Sequence, residues 1–192
     1  MAGAVTLLLP VGGYLLGSIL PARILGRRRG VDFLRLGKNP GAAETYRTFG
    51  LWPSVLVYLL DASKAVIPLV AGKVLDLASW SLVATAAAVV AGHNWSIFNR
   101  FWGGKGLASA SGALLVLIPE QLAYALPFGL LAWWVTGWVP ASGVVGFPII
   151  IALTWSRIGD PVLRMAAIVV PLMVVLRVLS EVKDRLDDLW AL

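Results

Sequence analysis

The sequence predicts an all-α, polytopic membrane protein with about seven transmembrane helices. Hydrophobic residues make up 59% of its 192 residues, charged residues make up 14%, and the mean hydropathy is +0.84. Soluble domains contain ~25% charged residues, so this composition excludes an ordinary globular protein. Long apolar runs, separated by charged residues, Gly or Pro, lead to the same class. We expect one membrane domain over residues 1–192.

Seven apolar segments are candidate helices, at residues 5–25, 49–71, 77–91, 107–118, 121–136, 138–155 and 162–179. A transmembrane helix needs at least ~17 residues, and segment 107–118 is the clearest of three that fall short. It could form a re-entrant hairpin with the next segment, which would leave five full spans. The first segment lacks a basic start and is long for a signal peptide, so we expect an anchor.

The basic residues predict the orientation of the chain. Most of the 16 lie in or beside the first loop, the loop after the third segment, or the tail: Arg23, Arg27, Arg28, Arg29, Arg35, Lys38, Arg47, Arg100, Lys105, Arg177, Lys183 and Arg185. By the positive-inside rule, the N-terminus is outside and the C-terminus is cytoplasmic. The net charge of +6 therefore requires no nucleic-acid partner. Residues 180–192 are expected to form a short amphipathic helix, with Val182, Leu186 and Leu189 at helical spacing.

Residue usage limits the chemistry. The chain has no cysteine and one histidine, which excludes disulfides and argues against a structural metal site. We expect neither a metal nor a cofactor.

The turn Gly103-Gly104-Lys105-Gly106 is the strongest candidate for a binding site. Glycines let backbone N–H groups surround an anion, and the lysine adds a compact positive charge. The alternative is a flexible loop with a stray lysine. At a bilayer surface the pattern favours a phosphate-bearing substrate. His93, at the end of the preceding helix, is expected to anchor this turn by a hydrogen bond rather than act as a general base.

The first loop offers a second set of polar groups. Asn39 can donate or accept a hydrogen bond, Gly41 permits a close backbone approach, and Arg47 can bind a phosphate bidentately. A polar connector whose arginines only set topology is the alternative, and we favour it for residues 27–29.

Asp61 and Lys64 lie within the second apolar segment, three residues apart and therefore on one helical face. Charges in the hydrocarbon region are costly and usually face a polar interior. We expect a mutual structural pair that orients the neighbouring loops.

Several sequence blocks resemble the bacterial acyl-phosphate:glycerol-3-phosphate acyltransferase family (PlsY type), of which the chain looks like a divergent member. They are Tyr14-Leu15-Leu16-Gly17-Ser18-Ile19, the loop 32–50, Asp61-Ala62-Ser63-Lys64, and Gly92-His93 followed by Gly103-Gly104-Lys105-Gly106. The resemblance implies a multi-pass enzyme of the bacterial inner (plasma) membrane with its site at the cytoplasmic face. Such enzymes transfer a fatty acyl group from acyl phosphate to the 1-hydroxyl of glycerol 3-phosphate, giving lysophosphatidic acid for phospholipid synthesis.

Acyl phosphate is already an activated anhydride, so the protein need only bind two anions, align them and stabilise the oxyanion. The implied partners are acyl phosphate, glycerol 3-phosphate and membrane lipids. By position, Asn39, Gly41 and Arg47 would hold the acyl-phosphate end, with the acyl chain between helices open to lipid. Gly103, Gly104, Lys105 and Gly106 would form the glycerol-phosphate pocket. Among these, Arg47, Lys105 and Asn39 are the catalytic candidates; the binding candidates are Lys38, Gly41, His93, Gly103, Gly104 and Gly106.

The chain departs from the family pattern at three places. Gly37-Lys38-Asn39 stands where the family has Gly-Ser-Gly-Asn, and Gly41-Ala42-Ala43-Glu44 where it has Gly-Ala-Thr-Asn. The block 176–186 keeps Arg185-Leu186 but lacks the family's histidine and asparagine. Glu44 places a negative charge near the proposed anion site and should weaken phosphate binding. Lys38 is a candidate replacement for the lost donor, in which case Lys38→Ala abolishes activity.

These departures leave two alternatives beside the acyltransferase. One is a catalytically impaired paralogue that binds phospholipid precursors or regulates a true enzyme. The other is a transporter of small anions, although no inverted repeat is visible.

Overall fold

The computed structural model describes the backbone of residues 2–190 and the side chains of residues 3–182. In this part of the chain the elements are nine α-helices and one short 3-10 helix, with no strand. The helices are α1 (Ala2–Gly17), α2 (Pro21–Arg28), α3 (Ala42–Phe49), α4 (Leu51–Val74), α5 (Ser79–Asn94), the 3-10 helix (Ile97–Asn99), α6 (Leu107–Leu117), α7 (Pro119–Thr136), α8 (Ala141–Arg157) and α9 (Pro161–Trp190). The predicted all-α class is confirmed over these residues.

Four segments are long and apolar enough to cross a membrane: Gly3–Arg28, Leu51–Val74, Ser79–Asn99 and Pro161–Val182. Helix α6 has only 11 residues, about 16 Å at 1.5 Å per residue, roughly half of the hydrocarbon thickness. The chain is thus an all-α protein with several membrane-spanning segments.

The first apolar segment, predicted as one helix over 5–25, is interrupted at residues 18–20 and resumes as α2. Pro21 cannot donate a backbone hydrogen bond, and its ring disfavours a helical conformation at Leu20. The freed carbonyl oxygens are nevertheless all satisfied: Lys64 donates to those of Gly17 and Ile19, and Ser96 Oγ donates to that of Ser18. The break is therefore bonded to α4 and to the segment that follows α5.

Helix α5 lies at the centre of the bundle, against α1, α4, α6 and α9. Its contact with α1 depends on two glycines. A Cβ on Gly17 would overlap the carbonyl oxygen of Val89, and one on Gly92 would overlap that of Tyr14. Small residues allow this close backbone approach between membrane helices. The buried core around α5 includes Val89, Val90, Ala110, Leu114 and Val170.

The first loop is folded rather than open. Phe33 is fully buried between Ala22 and Val57, and its ring meets that of Phe49 edge-on with centroids 6.0 Å apart. This apolar cluster fixes α2 and α3 on α4. The polar residues between them are thereby held over one end of the bundle.

The outer surface of the bundle is strongly apolar, as expected of a protein surrounded by lipid. On α7, for example, the exposed side chains include Leu126, Phe128, Leu130, Leu131, Trp134 and Val135. Lipid is the solvent that suits this face.

Helix α9 continues without a break to Trp190. The predicted tail helix is therefore an extension of the last membrane helix rather than a separate element, because no Gly or Pro after Pro171 interrupts it. Val182 is exposed, whereas the side chains of Leu186 and Leu189, which define the predicted amphipathic face, lie outside the described residues.

Candidate active site

Three buried polar side chains lie at the bottom of the site, beneath the glycine turn. Lys64 Nζ lies 3.0 Å from Asp61 Oδ1 and 2.9 Å from His93 Nδ1, and His93 Nδ1 lies 3.2 Å from the same carboxylate oxygen. All three residues are at most 4% exposed. The i,i+3 spacing on α4 brings Asp61 and Lys64 together, and the packing of α5 on α4 adds His93.

The contacts of Nδ1 fix the orientation of the imidazole. Nδ1 of His93 lies against both the Lys64 ammonium group and the Asp61 carboxylate, so Nε2 is directed away from this pair. Nε2 points to the glycine turn, where a Cβ on Gly104 would overlap it. His93 thus faces the turn with Nε2, while Lys64 and Asp61 contact its other ring nitrogen.

The turn 103–106 is built against the end of α5. The N–H of Gly104 donates to the carbonyl oxygen of His93 at 3.0 Å. A Cβ on Gly103 would overlap that same oxygen, and Gly106 has a φ of +79° at the start of α6. Three of its four residues thus need to be glycine because of close approach or positive φ.

Arg177 of α9 joins this turn to the first loop. Its Nε donates to the carbonyl oxygen of Gly104 and its Nη2 to that of Gly103, both at 3.3 Å, while Nη2 also donates to Asn39 Oδ1 at 3.2 Å. The side chain is only 6% exposed, and its guanidinium lies over the Trp102 ring, 5.6 Å from the centroid.

The sequence pattern indicates only a topological role for Arg177. The available signal was its place within the apolar run 176–179, because a charged residue inside a membrane helix usually faces a polar interior.

The first loop therefore contacts the turn through Asn39 and Pro40. The carbonyl oxygen of Pro40 would lie 3.0 Å from a Cβ on Gly104. Gly41 begins α3 with an extended backbone, and a Cβ there would meet nothing within 4 Å. The space beside Gly41 therefore contains no protein atom, and the protein itself gives no steric reason for glycine at this position.

The remaining candidate cations are paired with carboxylates. Glu44 accepts from Lys38 Nζ at 2.6 Å and from Arg47 Nη1 at 3.3 Å. Lys105 Nζ lies 3.0 Å from Glu181 Oε2. Four cationic side chains, Lys38, Arg47, Lys105 and Arg177, thus cluster with two carboxylates at one end of the bundle.

The opposite end has polar contacts of its own. Lys73 donates to the Val116 carbonyl oxygen, and Ser79 Oγ donates to Asp160 at 3.0 Å. Over the described side chains, 3–182, no group of three or more His, Asp or Glu residues could hold a metal ion.

Together the fold and the cluster define a class: an integral membrane protein with a glycine turn, lysines and arginines gathered at one end of its helix bundle. The sequence profile of the Glycerol-3-phosphate acyltransferase family matches residues 7–188. The chain belongs to this family.

Two curated relatives illustrate the similarity. The chain is 33% identical over 176 residues to a glycerol-3-phosphate acyltransferase of Thermus thermophilus, covering 91% of this chain and 88% of that one. It is 37% identical over 132 residues to glycerol-3-phosphate acyltransferase 5 of Dehalococcoides mccartyi, covering 66% of this chain and 57% of the relative's length.

Crystal structures of PlsY, an integral membrane glycerol 3-phosphate acyltransferase, share the fold. Its glycerol 3-phosphate form superposes with a TM-score of 0.83 at 29% identity, over 95% of this chain and 92% of PlsY. Its lysophosphatidic acid form gives a TM-score of 0.82 with the same coverage.

Proposed function

We propose that the protein transfers a fatty acyl group from acyl phosphate to the 1-hydroxyl of glycerol 3-phosphate. The hydroxyl oxygen attacks the acyl carbonyl carbon, and the bond from that carbon to the phosphate oxygen breaks. The hydroxyl proton leaves with the phosphate, and lysophosphatidic acid is the other product. Family membership and the similarity to PlsY, over almost the whole chain, support this reaction.

One observation carries the proposal for the site: Arg177 holds the glycine turn and the first loop together. Lys105 is part of the turn, and Lys38 and Arg47 flank the loop residue Asn39 and the start of α3. Cationic side chains from two separate segments, the glycine turn and the first loop with α3, thus lie at the same end of the bundle. This is the arrangement that a reaction between two phosphate-bearing substrates requires, because alignment of the reactants supplies much of the catalysis.

We assign roles on this geometry. Lys105 holds the phosphate of glycerol 3-phosphate through its ammonium group, and Gly103, Gly104 and Gly106 give the turn the close backbone approach that an anion requires. Arg47, Lys38 and Asn39 hold acyl phosphate, with Gly41 leaving room for it. The positive groups also stabilise the negative charge that develops on the acyl oxygen.

His93 is a positioning residue in this scheme. Its backbone carbonyl oxygen accepts from the N–H of Gly104, its Nε2 faces the turn, and the buried Asp61–Lys64 pair orients the ring. Neither a protein nucleophile nor a cofactor is needed, since the leaving group is already part of acyl phosphate.

The topology proposed for the membrane follows from the charges. We propose a single domain over residues 1–192 with about seven transmembrane helices, whose site end lies at the cytoplasmic face of the bacterial inner membrane. The N-terminus is then outside and the C-terminus cytoplasmic. The basic residues cluster at the site end, whereas Lys73, Arg157 and Arg164 lie near the other, as the positive-inside rule requires.

The test is an assay with detergent-purified protein, a long-chain acyl phosphate and glycerol 3-phosphate, following lysophosphatidate and phosphate. We expect product with the native chain, loss of at least about 100-fold with Lys105→Ala, and native activity with the control Lys73→Ala at the opposite end. A folded native protein without product contradicts the proposal. It would then favour the impaired paralogue, or the transporter if reconstituted vesicles take up glycerol 3-phosphate.

A further inference from the structure

Glu44 holds two of the candidate site cations at once. One carboxylate oxygen lies 2.6 Å from Lys38 Nζ and the other 3.3 Å from Arg47 Nη1. The Glu44 side chain is 11% exposed, although its two partners are about half exposed or more. The carboxylate thus bridges a lysine and an arginine with two separate oxygens, as a phosphate group does.

Glu181 makes an equivalent contact on the other side of the site. Its Oε2 lies 3.0 Å from Lys105 Nζ, within the glycine turn. Glu181 follows Arg177 by four residues on α9, so the two side chains lie on one helical face. That face is fixed against the turn, because Arg177 donates to the carbonyl oxygens of Gly103 and Gly104.

We propose that Glu44 and Glu181 are specificity-determining residues, whose carboxylates occupy the positions of the two substrate phosphates until the substrates bind. The inference rests on the proposed function for its choice of substrates. Each of the three lysine and arginine side chains assigned to substrate phosphates contacts one of these carboxylates. Glycerol 3-phosphate must therefore displace Glu181 from Lys105, and acyl phosphate must displace Glu44 from Lys38 and Arg47.

This competition has a direct consequence for binding. The ion pairs stabilise the site before a substrate binds. The binding free energy of each phosphate is therefore only the difference between its own contacts with the cations and the carboxylate contacts that it replaces. A dianionic phosphate ester displaces a monoanionic carboxylate more readily than another monoanion does. The site therefore favours phosphate esters over carboxylic acids. The same competition helps inorganic phosphate to leave after the reaction, so inhibition by phosphate is weak.

The experiment measures inorganic phosphate binding as well as turnover, in Glu44→Gln, Glu181→Gln and a control, Glu120→Gln. Glu120 pairs with Arg157 away from the site, so its substitution removes an exposed ion pair without touching the site cations. Phosphate binding is measured by isothermal titration in detergent, and steady-state assays give the KM of each substrate and the inhibition constant of phosphate.

We expect Glu44→Gln to lower the KM of acyl phosphate, and Glu181→Gln that of glycerol 3-phosphate, each by about two- to fivefold, the range of a partly exposed ion pair. The Kd of phosphate falls by a similar factor in both variants, and kcat does not rise, because stronger uniform binding does not accelerate the chemical step. In a Lys105→Met background the effect of Glu181→Gln disappears. Glu120→Gln behaves as the native protein.

Unchanged or higher phosphate Kd values in both folded site variants overturn the inference, as does an effect of Glu181→Gln that survives in the Lys105→Met background. The proposed function fails separately. If no variant forms lysophosphatidate and both site variants still bind phosphate more tightly, the competition stands while the assignment of its substrates does not.

Discussion

Nη2 of Arg177 lies 3.2 Å from Oδ1 of Asn39, a hydrogen bond between side chains 138 positions apart. The same guanidinium donates to the carbonyl oxygens of Gly103 and Gly104. One buried side chain of the last helix therefore holds the first loop and the glycine turn in register. The distance between the two proposed phosphate sites depends on it, although neither site contains Arg177 as an assigned ligand.

Arg177→Lys keeps the charge but loses the planar fork that reaches three acceptors. We expect kcat/KM to fall by at least about tenfold because the loops are no longer aligned, with about 2–4 kcal/mol lost from the free energy of unfolding. Kinetics and unfolding in detergent measure both. Arg164→Lys, at a residue whose Nε also donates to a carbonyl oxygen, 2.6 Å away, should alter stability alone. Native kcat/KM in Arg177→Lys would contradict the alignment role.

Gly104→Ala places a methyl group against Nε2 of His93 and 3.0 Å from a carbonyl oxygen of the first loop. Relief of this overlap must move the turn, so we expect at least about a 100-fold loss of kcat/KM and a stability cost of about 1–3 kcal/mol. Gly146→Ala in α8 is the matched control, since a Cβ there meets nothing within 4 Å. Equal activity in the two variants would show that the turn tolerates a side chain.

Lys64→Met leaves the buried Asp61 carboxylate without its ammonium partner and frees the carbonyl oxygens of Gly17 and Ile19. We expect a loss of about 3–5 kcal/mol in the free energy of unfolding. The double variant Asp61→Asn/Lys64→Met should recover part of this loss, since the unpaired charge is gone. Unfolding of both single variants and the double variant completes the cycle. Additive effects would argue that the two side chains are not coupled.

The stability of the first loop should depend on pH through Asp32. Burial alone raises the pKa of this carboxyl, but hydrogen bonds from Arg27 and from the N–H of Leu34 outweigh it and hold the pKa below its ordinary value. A lowered pKa in the folded state means that the stabilisation is complete above the unfolded value of ~3.9. It is lost as the pH falls through the folded pKa.

The melting temperature of the native protein, measured between pH 3 and pH 6, should therefore fall at the acidic end. Asp32→Asn should melt lower at pH 6 and show a smaller acid dependence, because its amide cannot be protonated in this range. An identical pH profile for the two proteins would show that Asp32 does not report the loop.

Much of the fold could be predicted from apolar segments, because a membrane helix is defined by the length and hydropathy of its own residues. The i,i+3 spacing alone likewise places Asp61 and Lys64 on one face. The break at residues 18–20 was not predicted, although Pro21 marks it, since apolar residues continue on both sides. Its stability comes from Lys64 and Ser96, which are distant in sequence.

The candidate site could be predicted in composition but not in arrangement. The glycine turn and Asn39 stand out by their residue types, whereas their connection through Arg177 depends on how α9 packs. The negative charge of Glu44 is enough to predict that this residue weakens anion binding. Its bridging of Lys38 and Arg47 requires the folded loop, because helical spacing relates Glu44 only to Arg47.

The position of Lys64 also bears on how the chain enters the bilayer during synthesis. An isolated lysine or aspartate at the centre of an inserting helix costs about 2.5–3.5 kcal/mol, but Asp61 and Lys64 leave the ribosome one helical turn apart and can neutralise each other at once. The two carbonyl oxygens that Lys64 binds belong to residues made earlier. The contacts of Lys64 with Asp61 and with these carbonyl oxygens can therefore form before His93 and the glycine turn have been translated. The later segments then insert against helices that are already in place.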